Sequence, residues 1–121
     1  MSRKIIGIIG TRRRDEKSDY QLVSEAFWKI YEEGDIICSG GCGAGGDKFA
    51  KWIHEGFAIP YLEFPAQWEK YGKSAGFKRN TDIAKFSTVL IACVSRERTS
   101  GTEDTIKKFQ KFNPDGEVIL V

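Results

Sequence analysis

Short apolar segments rich in isoleucine, valine and leucine recur along the whole chain. Each is four to seven residues long and almost continuously hydrophobic. Such runs are typical of strands that are covered on both faces of a parallel sheet. We therefore predict five strands, over Lys4–Ile9, Asp35–Cys38, Ile59–Phe64, Thr88–Val94 and Glu117–Val121.

The segments between these strands carry apolar residues at helical spacing. The clearest of them has one continuous apolar stripe, is capped by Ser18 or Asp19, and is stopped by Gly34. The second predicted helix is stopped by Gly56. The four predicted helices cover residues 19–33, 47 to 54 or 55, 75–85 and 102–112.

The order of elements is thus an alternation of strands and helices. This order predicts a mostly parallel five-stranded sheet with helices on both faces, joined by right-handed crossovers. At 121 residues with 40% hydrophobic content, the chain can bury the core of one such domain. We predict a single Rossmann-like α/β domain over residues 1–121.

Charge and cysteine content narrow the functional classes. The net charge of +2 is too small to favour a nucleic-acid-binding protein. Three cysteines, two of them within predicted strands, indicate reduced thiols of a cytoplasmic protein. With one histidine and no paired cysteine motif we expect no metal site, and with no long apolar run we expect no signal peptide or membrane span.

Glycine is dense where the second predicted strand meets the second helix. The segment Ser39-Gly40-Gly41-Cys42 leads through further glycines to Asp47 at the helix start. Backbone N–H groups at such a junction favour an anion. A tight turn with Asp47 near the N-cap is the alternative that involves no ligand.

Two other predicted strand ends carry comparable chemistry. Gly10-Thr11-Arg12 follows the first strand, and the Arg12 guanidinium suits a bidentate contact with phosphate, whereas Arg13 and Arg14 are expected in solvent. Ser100-Gly101-Thr102-Glu103 opens the fourth helix and could hold a phosphate or ribose, or simply cap the helix. Because ligands bind at the carboxyl ends of the strands in such sheets, we expect these segments to converge.

A polar segment with aromatic and basic residues connects the third strand to the third helix. Trp68 could offer a stacking surface for a base or could cover the sheet edge. Arg79 and Asn80 occupy the first turns of the helix, where the pair could clamp a ligand. With a single histidine, acid–base chemistry would fall to carboxylates such as Asp47, Glu103 or Asp104.

Taken together, these motifs resemble the YspA/YpsA-related branch of the SLOG superfamily. The matching motifs are Gly10-Thr11-Arg12, Ser39-Gly40-Gly41-Cys42 with Gly45-Gly46-Asp47, Pro65-Ala66-Gln67-Trp68 through Gly76 to Arg79-Asn80, and Gly101-Thr102. The resemblance implies a Rossmann-like fold that binds nucleotides or NAD- and ADP-ribose-derived ligands. It also implies ligand contacts at Gly10, Thr11, Arg12, Gly40, Gly41, Asp47, Arg79, Asn80, Gly101 and Thr102.

The departures from the family pattern concern catalysis. The related LOG-type phosphoribohydrolases carry a glutamate where this chain has Thr105, and Glu103 stands two residues too early. We therefore expect no catalytic residue and no cofactor, and favour a sensor or sequestering protein for a nucleotide-derived signal, in antiviral defence or phage counter-defence. LOG-type hydrolysis is the alternative, and single-strand nucleic-acid binding is a third. Family relatives often form oligomers, and Phe27, Trp28 and Tyr31 could support one.

Overall fold

Every strand of the sheet runs parallel to its neighbours. The computed structural model describes residues 3–98 and 101–121. The sheet has the order β3-β2-β1-β4-β5. The strands are β1 (Ile5–Gly10), β2 (Ile36–Ser39), β3 (Tyr61–Glu63), β4 (Val89–Cys93) and β5 (Glu117–Leu120). The predicted five-stranded α/β architecture is confirmed, with a fully parallel sheet.

The helices form a layer on each face of the sheet. They are α1 (Lys17–Ile30), α2 (Gly46–Phe57), α3 (Trp68–Tyr71), α4 (Ala75–Phe86) and α5 (Gly101–Phe112). Side chains alternate between the faces along each strand. On one face Ile6 and Ile8 of β1 pack with Phe27 of α1 and Phe49 of α2. On the other face Ile9 packs in a core that α4 and α5 complete, with the fully buried Phe109 at its centre.

Three helix ends differ from the sequence prediction. Helix α1 ends at Ile30 because Tyr31 is extended (φ −65°, ψ 133°), and Gly34 (φ +97°) lies in the following loop. The predicted cap at Ser18 or Asp19 is wrong: α1 begins at Lys17 with Glu16 at the N-cap, and the Asp19 carboxylate accepts a hydrogen bond from the backbone of Glu16 (3.2 Å). Helix α2 continues through Gly56 to Phe57, and Ala58 takes the left-handed conformation that ends it.

The segment after β3 also differs from the prediction of an open polar loop. It contains the four-residue helix α3, in which no residue is buried, followed by a 3-10 turn over Gly72–Ser74. Buried strands run through the middle of the sheet, but β3 and β5 form its edges and expose Leu62 and Leu120. Continuous burial on both faces thus holds for the interior strand β4 and fails at the edges.

Arg14 corrects a further expectation, because it is anchored within the fold. Its guanidinium is three-quarters buried and donates to the carbonyl oxygens of Val94 (3.2 Å) and Val121, and Nε bonds Asp19 (2.9 Å). This side chain therefore ties α1 to the carboxyl ends of β4 and β5. Arg13 is 68% exposed, as the sequence predicted.

The strand order creates a switch point between β1 and β4. The chain leaves β1 toward β2 on one side and later returns to form β4 on the other. The loops beyond β1 and β4 diverge there, leaving a crevice at the carboxyl edge of the sheet. Across residues 3–98 and 101–121, none of the helices is long and apolar enough to traverse a bilayer.

Candidate functional site

A cavity of about 340 Å³ lies at this switch point. The end of β1, the glycine-rich loop before α2, and the starts of α4 and α5 surround it. Most of the predicted site residues border it together, and they are Gly10, Thr11, Arg12, Cys42, Asp47, Arg79, Asn80, Gly101 and Thr102. The expected convergence of separate strand ends is therefore seen in the geometry.

Two glycines allow α2 to start directly against the end of β1. Gly45 has φ +68° and ψ −145°, and a Cβ there would overlap the backbone carbonyl of Thr11. A Cβ on Gly46 would overlap the backbone of Ile9 and Gly10. At these two positions glycine thus allows close packing of backbone on backbone, which places the start of α2 at the cavity wall.

Asp47 organises the loop that precedes its own helix. Its Oδ1 accepts a hydrogen bond from Ser39 Oγ (2.8 Å), and its Oδ2 accepts one from the N–H of Cys42 (3.0 Å). Arg79 Nη1 lies 3.9 Å from the same Oδ2. Only 12% of the Asp47 side chain is exposed. The carboxylate therefore holds the loop over Ser39–Cys42 in place while itself bordering the cavity.

Arg79 and Asn80 connect the two sides of the cavity. Arg79 Nη1 donates to the carbonyl of Gly40 (3.1 Å), and its Nε donates to Asn80 Oδ1 (3.1 Å). Asn80 Nδ2 in turn donates to the Gly101 carbonyl and to Asp104 Oδ2, both at 3.2 Å. These bonds form a bridge from the loop after β2 to the first turn of α5.

Some backbone donors of the glycine-rich loop are already occupied. The Cys42 N–H bonds Asp47, and the Gly45 N–H donates to Asp15 Oδ1 (2.8 Å). The Gly45 N–H and the Lys48 ammonium hold the pKa of Asp15 below its usual value. The carboxylates of Asp15 and Asp47 therefore bind two of the N–H groups that the sequence pattern predicted to be available for an anion.

Arginine side chains at the cavity differ in what they already bind. Arg13 Nη1 pairs with Glu97 Oε2 at 3.1 Å, and Arg79 Nη1 donates to the Gly40 carbonyl. Arg12 is exposed, and within residues 3–98 and 101–121 its guanidinium has neither an ion pair nor a hydrogen bond. Arg12 is thus the cation on the cavity wall whose N–H donors have no partner among the described residues.

Several predicted residues do not line the cavity. Ser39, Gly40 and Gly41 stand behind its wall, where Gly41 lies against the Glu63 side chain. Glu103 bonds Arg98 through both oxygens (2.7 and 3.0 Å) and faces away from the lining. Trp68 is 58% exposed and borders a separate surface depression formed by residues 66–70. Ser100 lies outside the described residues.

The sequence patterns missed part of the lining. Ile9 and Ile83 give the cavity an apolar floor, and Ala44 and Thr105 complete its wall. Thr105 Oγ1 donates to the Gly101 carbonyl (3.0 Å). The two isoleucines were recognisable from periodicity as core residues only, because nothing in a periodic pattern marks which core residues border a cavity.

All three cysteines are free thiols, but their surroundings differ. Cys38 is fully buried, and burial raises the pKa of its thiol to about 11, with the hydrogen bond to Ser87 opposing. Burial also raises the pKa of Cys93. Cys42 is only half-buried and lines the cavity. The thiolate is the reactive species, so accessibility and burial together favour modification at Cys42.

We expect a maleimide at pH 8 to modify Cys42 in the native protein at least ten times faster than Cys38 or Cys93. With a pKa of about 11, only roughly one Cys38 thiol in a thousand is ionised at that pH, and burial blocks access besides. Peptide mapping after short exposure measures the three rates. Cys42→Ser should remove the fast site while Cys38→Ser leaves it; rapid labelling of Cys38 in native protein would contradict the described burial.

The described residues hold no group of three histidine, cysteine, aspartate or glutamate side chains that could bind a metal ion. Neither a protein-family model nor a curated protein matches the sequence of this chain. In structure it is similar to the molybdenum cofactor binding protein from the phototrophic bacterium Rippkaea orientalis, with a TM-score of 0.73 and 22% identity. The similarity covers 99% of this chain and 77% of that one, and at this identity it shows the shared fold.

Proposed function

We propose that this chain binds a phosphate-bearing, nucleotide-derived small molecule in the switch-point cavity, as a sensor or a sequestering protein. The observation that carries the proposal is the exposed Arg12 guanidinium, unpaired among the described residues, on the wall of a cavity at the carboxyl edge of a parallel sheet. Ligand sites of such sheets lie at this edge. Arginine is the side chain best suited to hold a phosphate through two parallel hydrogen bonds.

The rest of the cavity suits the remainder of such a ligand. Gly101 and Thr102 at the start of α5 offer polar contacts, and Ile9 and Ile83 offer an apolar floor for a sugar or base. The volume of about 340 Å³ lies at the lower end of the range for small-molecule sites. A ligand of nucleoside-monophosphate size, or one end of a larger dinucleotide, is the class that these features favour.

We also propose that the chain is a member of the SLOG superfamily. In support, four separate motifs of the resemblance contribute to one cavity, represented by Arg12, Asp47, Arg79 and Thr102. The structural neighbour suggests a second ligand class, because its name describes binding of a molybdenum cofactor. That cofactor therefore belongs among the candidate ligands.

Binding without turnover is favoured over hydrolysis. Among the described residues that line the cavity, Asp47 is the one carboxylate, and both of its oxygens already accept hydrogen bonds. Glu103 is paired with Arg98, and the position that holds the LOG-type glutamate is Thr105. No lining carboxylate of the described chain is thus placed to act as an acid or base.

Native mass spectrometry of freshly purified protein tests the proposal. We expect a bound species that leaves unchanged on denaturation and has the mass of a nucleotide derivative or of a molybdenum cofactor, which separates the two ligand classes. Incubation with AMP, NAD or cyclic ADP-ribose should consume none of them. Catalytic loss of any of the three would favour the hydrolase, and salt-sensitive binding of oligonucleotides alone would favour the nucleic-acid alternative.

Native mass spectrometry also reports how many chains the native assembly contains. We propose that the chain forms a homo-oligomer through an aromatic face on α1 and α2, where Trp28 and Phe57 contact each other (4.8 Å between ring centroids). They are 39% and 55% exposed, whereas Phe27, which the sequence also suggests for this role, is fully buried and cannot contribute. Large exposed apolar side chains in one patch are typical of an interface. A monomer at micromolar concentration would contradict this part of the proposal.

A further inference from the structure

Trp68 differs from the other two tryptophans in its surroundings. Trp28 packs edge-on against Phe27, and Trp52 packs in the same way against Tyr20, with centroids 4.9 and 5.2 Å apart. Trp68 is 58% exposed, and within the described chain no aromatic ring packs against it. A large flat apolar surface is therefore open to solvent at this position.

The Trp68 ring borders the continuation of the cavity wall along α4. Arg79, Asn80 and Ile83 line the cavity, and Gly76 precedes them on the same helix face by three, four and seven residues. The Trp68 ring atom Cη2 lies 3.6 Å from the position that a Cβ on Gly76 would take. Gly76, which the end of the Trp68 ring approaches, thus lies about one helical turn before the cavity-lining Arg79 on α4.

Because Gly76 has no side chain, the surface between Trp68 and the cavity-lining residues of α4 is unobstructed at this position. A larger residue here would project toward Trp68, because helical side chains lean toward the N-terminus. The cavity and the exposed indole can therefore serve as two parts of one binding surface.

We propose that Trp68 forms a second subsite, on which the ligand stacks a planar heterocycle while Arg12 holds its phosphate. This inference rests on the proposed function and narrows the ligand to a nucleotide whose base projects from the cavity along α4. An exposed indole attracts such a ring because stacking on an aromatic side chain tolerates any base and contributes about ten-fold or more to affinity.

Calorimetry with AMP and with ribose 5-phosphate, which lacks the base, tests this subsite on the intact chain. Wild-type protein should bind AMP about ten-fold more tightly than ribose 5-phosphate. Trp68→Ala should remove this difference without changing the affinity for ribose 5-phosphate, and Trp68→Phe should keep most of it. Phe112→Ala, which truncates another exposed aromatic residue at the far end of α5, is the matched control and should behave as wild type.

The outcomes separate this inference from the proposed function. Equal affinity of wild type and Trp68→Ala for AMP would overturn the stacking subsite and leave the phosphate site standing. Equal losses for AMP and ribose 5-phosphate in Trp68→Ala would also overturn it, because they would show a structural role at α4. Failure of wild-type protein to bind either probe would overturn both the subsite and the proposed function.

Discussion

Gly45→Ala is expected to lower the free energy of unfolding by on the order of 3 kcal/mol, because backbone strain and a steric overlap act together. The residue has φ +68° and ψ −145°, a combination that side chains with a Cβ rarely adopt. The added Cβ would also overlap the carbonyl of Thr11, which belongs to the backbone and cannot swing away. Urea unfolding followed by circular dichroism measures the change.

Gly43→Ala in the same loop is the matched control. A Cβ there would have no heavy atom within 4 Å, and its φ is outside the left-handed range. We expect a change within about 0.5 kcal/mol, since the substitution adds a methyl group in open space. Equal destabilisation by the two alanines would show that α2 does not pack against the end of β1 as described.

The element order could be predicted because it depends on local composition. Interior strands such as β4 read as continuous apolar runs, and α1 carries one apolar stripe, so both patterns are visible in a short window. The ends of helices were less predictable. Gly34 and Gly56 are the local stop signals, yet α1 ends at Ile30, four residues before Gly34, and α2 runs one residue past Gly56. The ends are set instead at Tyr31, which is extended, and at Ala58, which is left-handed.

Many of the residues that line the cavity could be predicted from the topology of the sheet. Carboxyl ends of parallel strands meet at one edge, so motifs placed after separate strands, such as those at Arg12 and Thr102, converge without any local signal linking them. What each group already binds could not be predicted. Asp15 reaches the Gly45 N–H across 30 residues of sequence, and Arg14 reaches the Val121 carbonyl across 107. No periodicity encodes such contacts.

The hydrogen bonds that Asp15 and Asp47 accept also determine what the glycine-rich loop contributes to the cavity. A loop with free N–H groups would itself be the anion site, whereas here Asp15 and Asp47 occupy two of those groups and fix the loop as a wall. Under the proposed function, recognition of the phosphate then depends more on side chains than on the loop backbone. Arg12 is the side chain whose removal should reveal this.

Arg12→Ala is expected to weaken AMP binding about 100-fold, because one bidentate, charge-assisted contact with the phosphate is lost. Stability should not change, since the guanidinium has no partner among the described residues. The variant should also show a shallower loss of affinity with rising salt than wild type does, because one opposite charge no longer contributes. Calorimetry at two salt concentrations measures both effects, and Arg12→Lys should recover part of the affinity only.

The neighbouring Arg13 supplies the control for Arg12, because it also lines the cavity and carries the same charge. Its guanidinium is 68% exposed and already paired with Glu97, so Arg13→Ala should weaken AMP binding no more than about three-fold. A loss of similar size in both variants would mean that general positive charge at the cavity mouth attracts the ligand. Unchanged affinity in Arg12→Ala would instead place the phosphate elsewhere on the cavity wall and contradict the proposed binding mode.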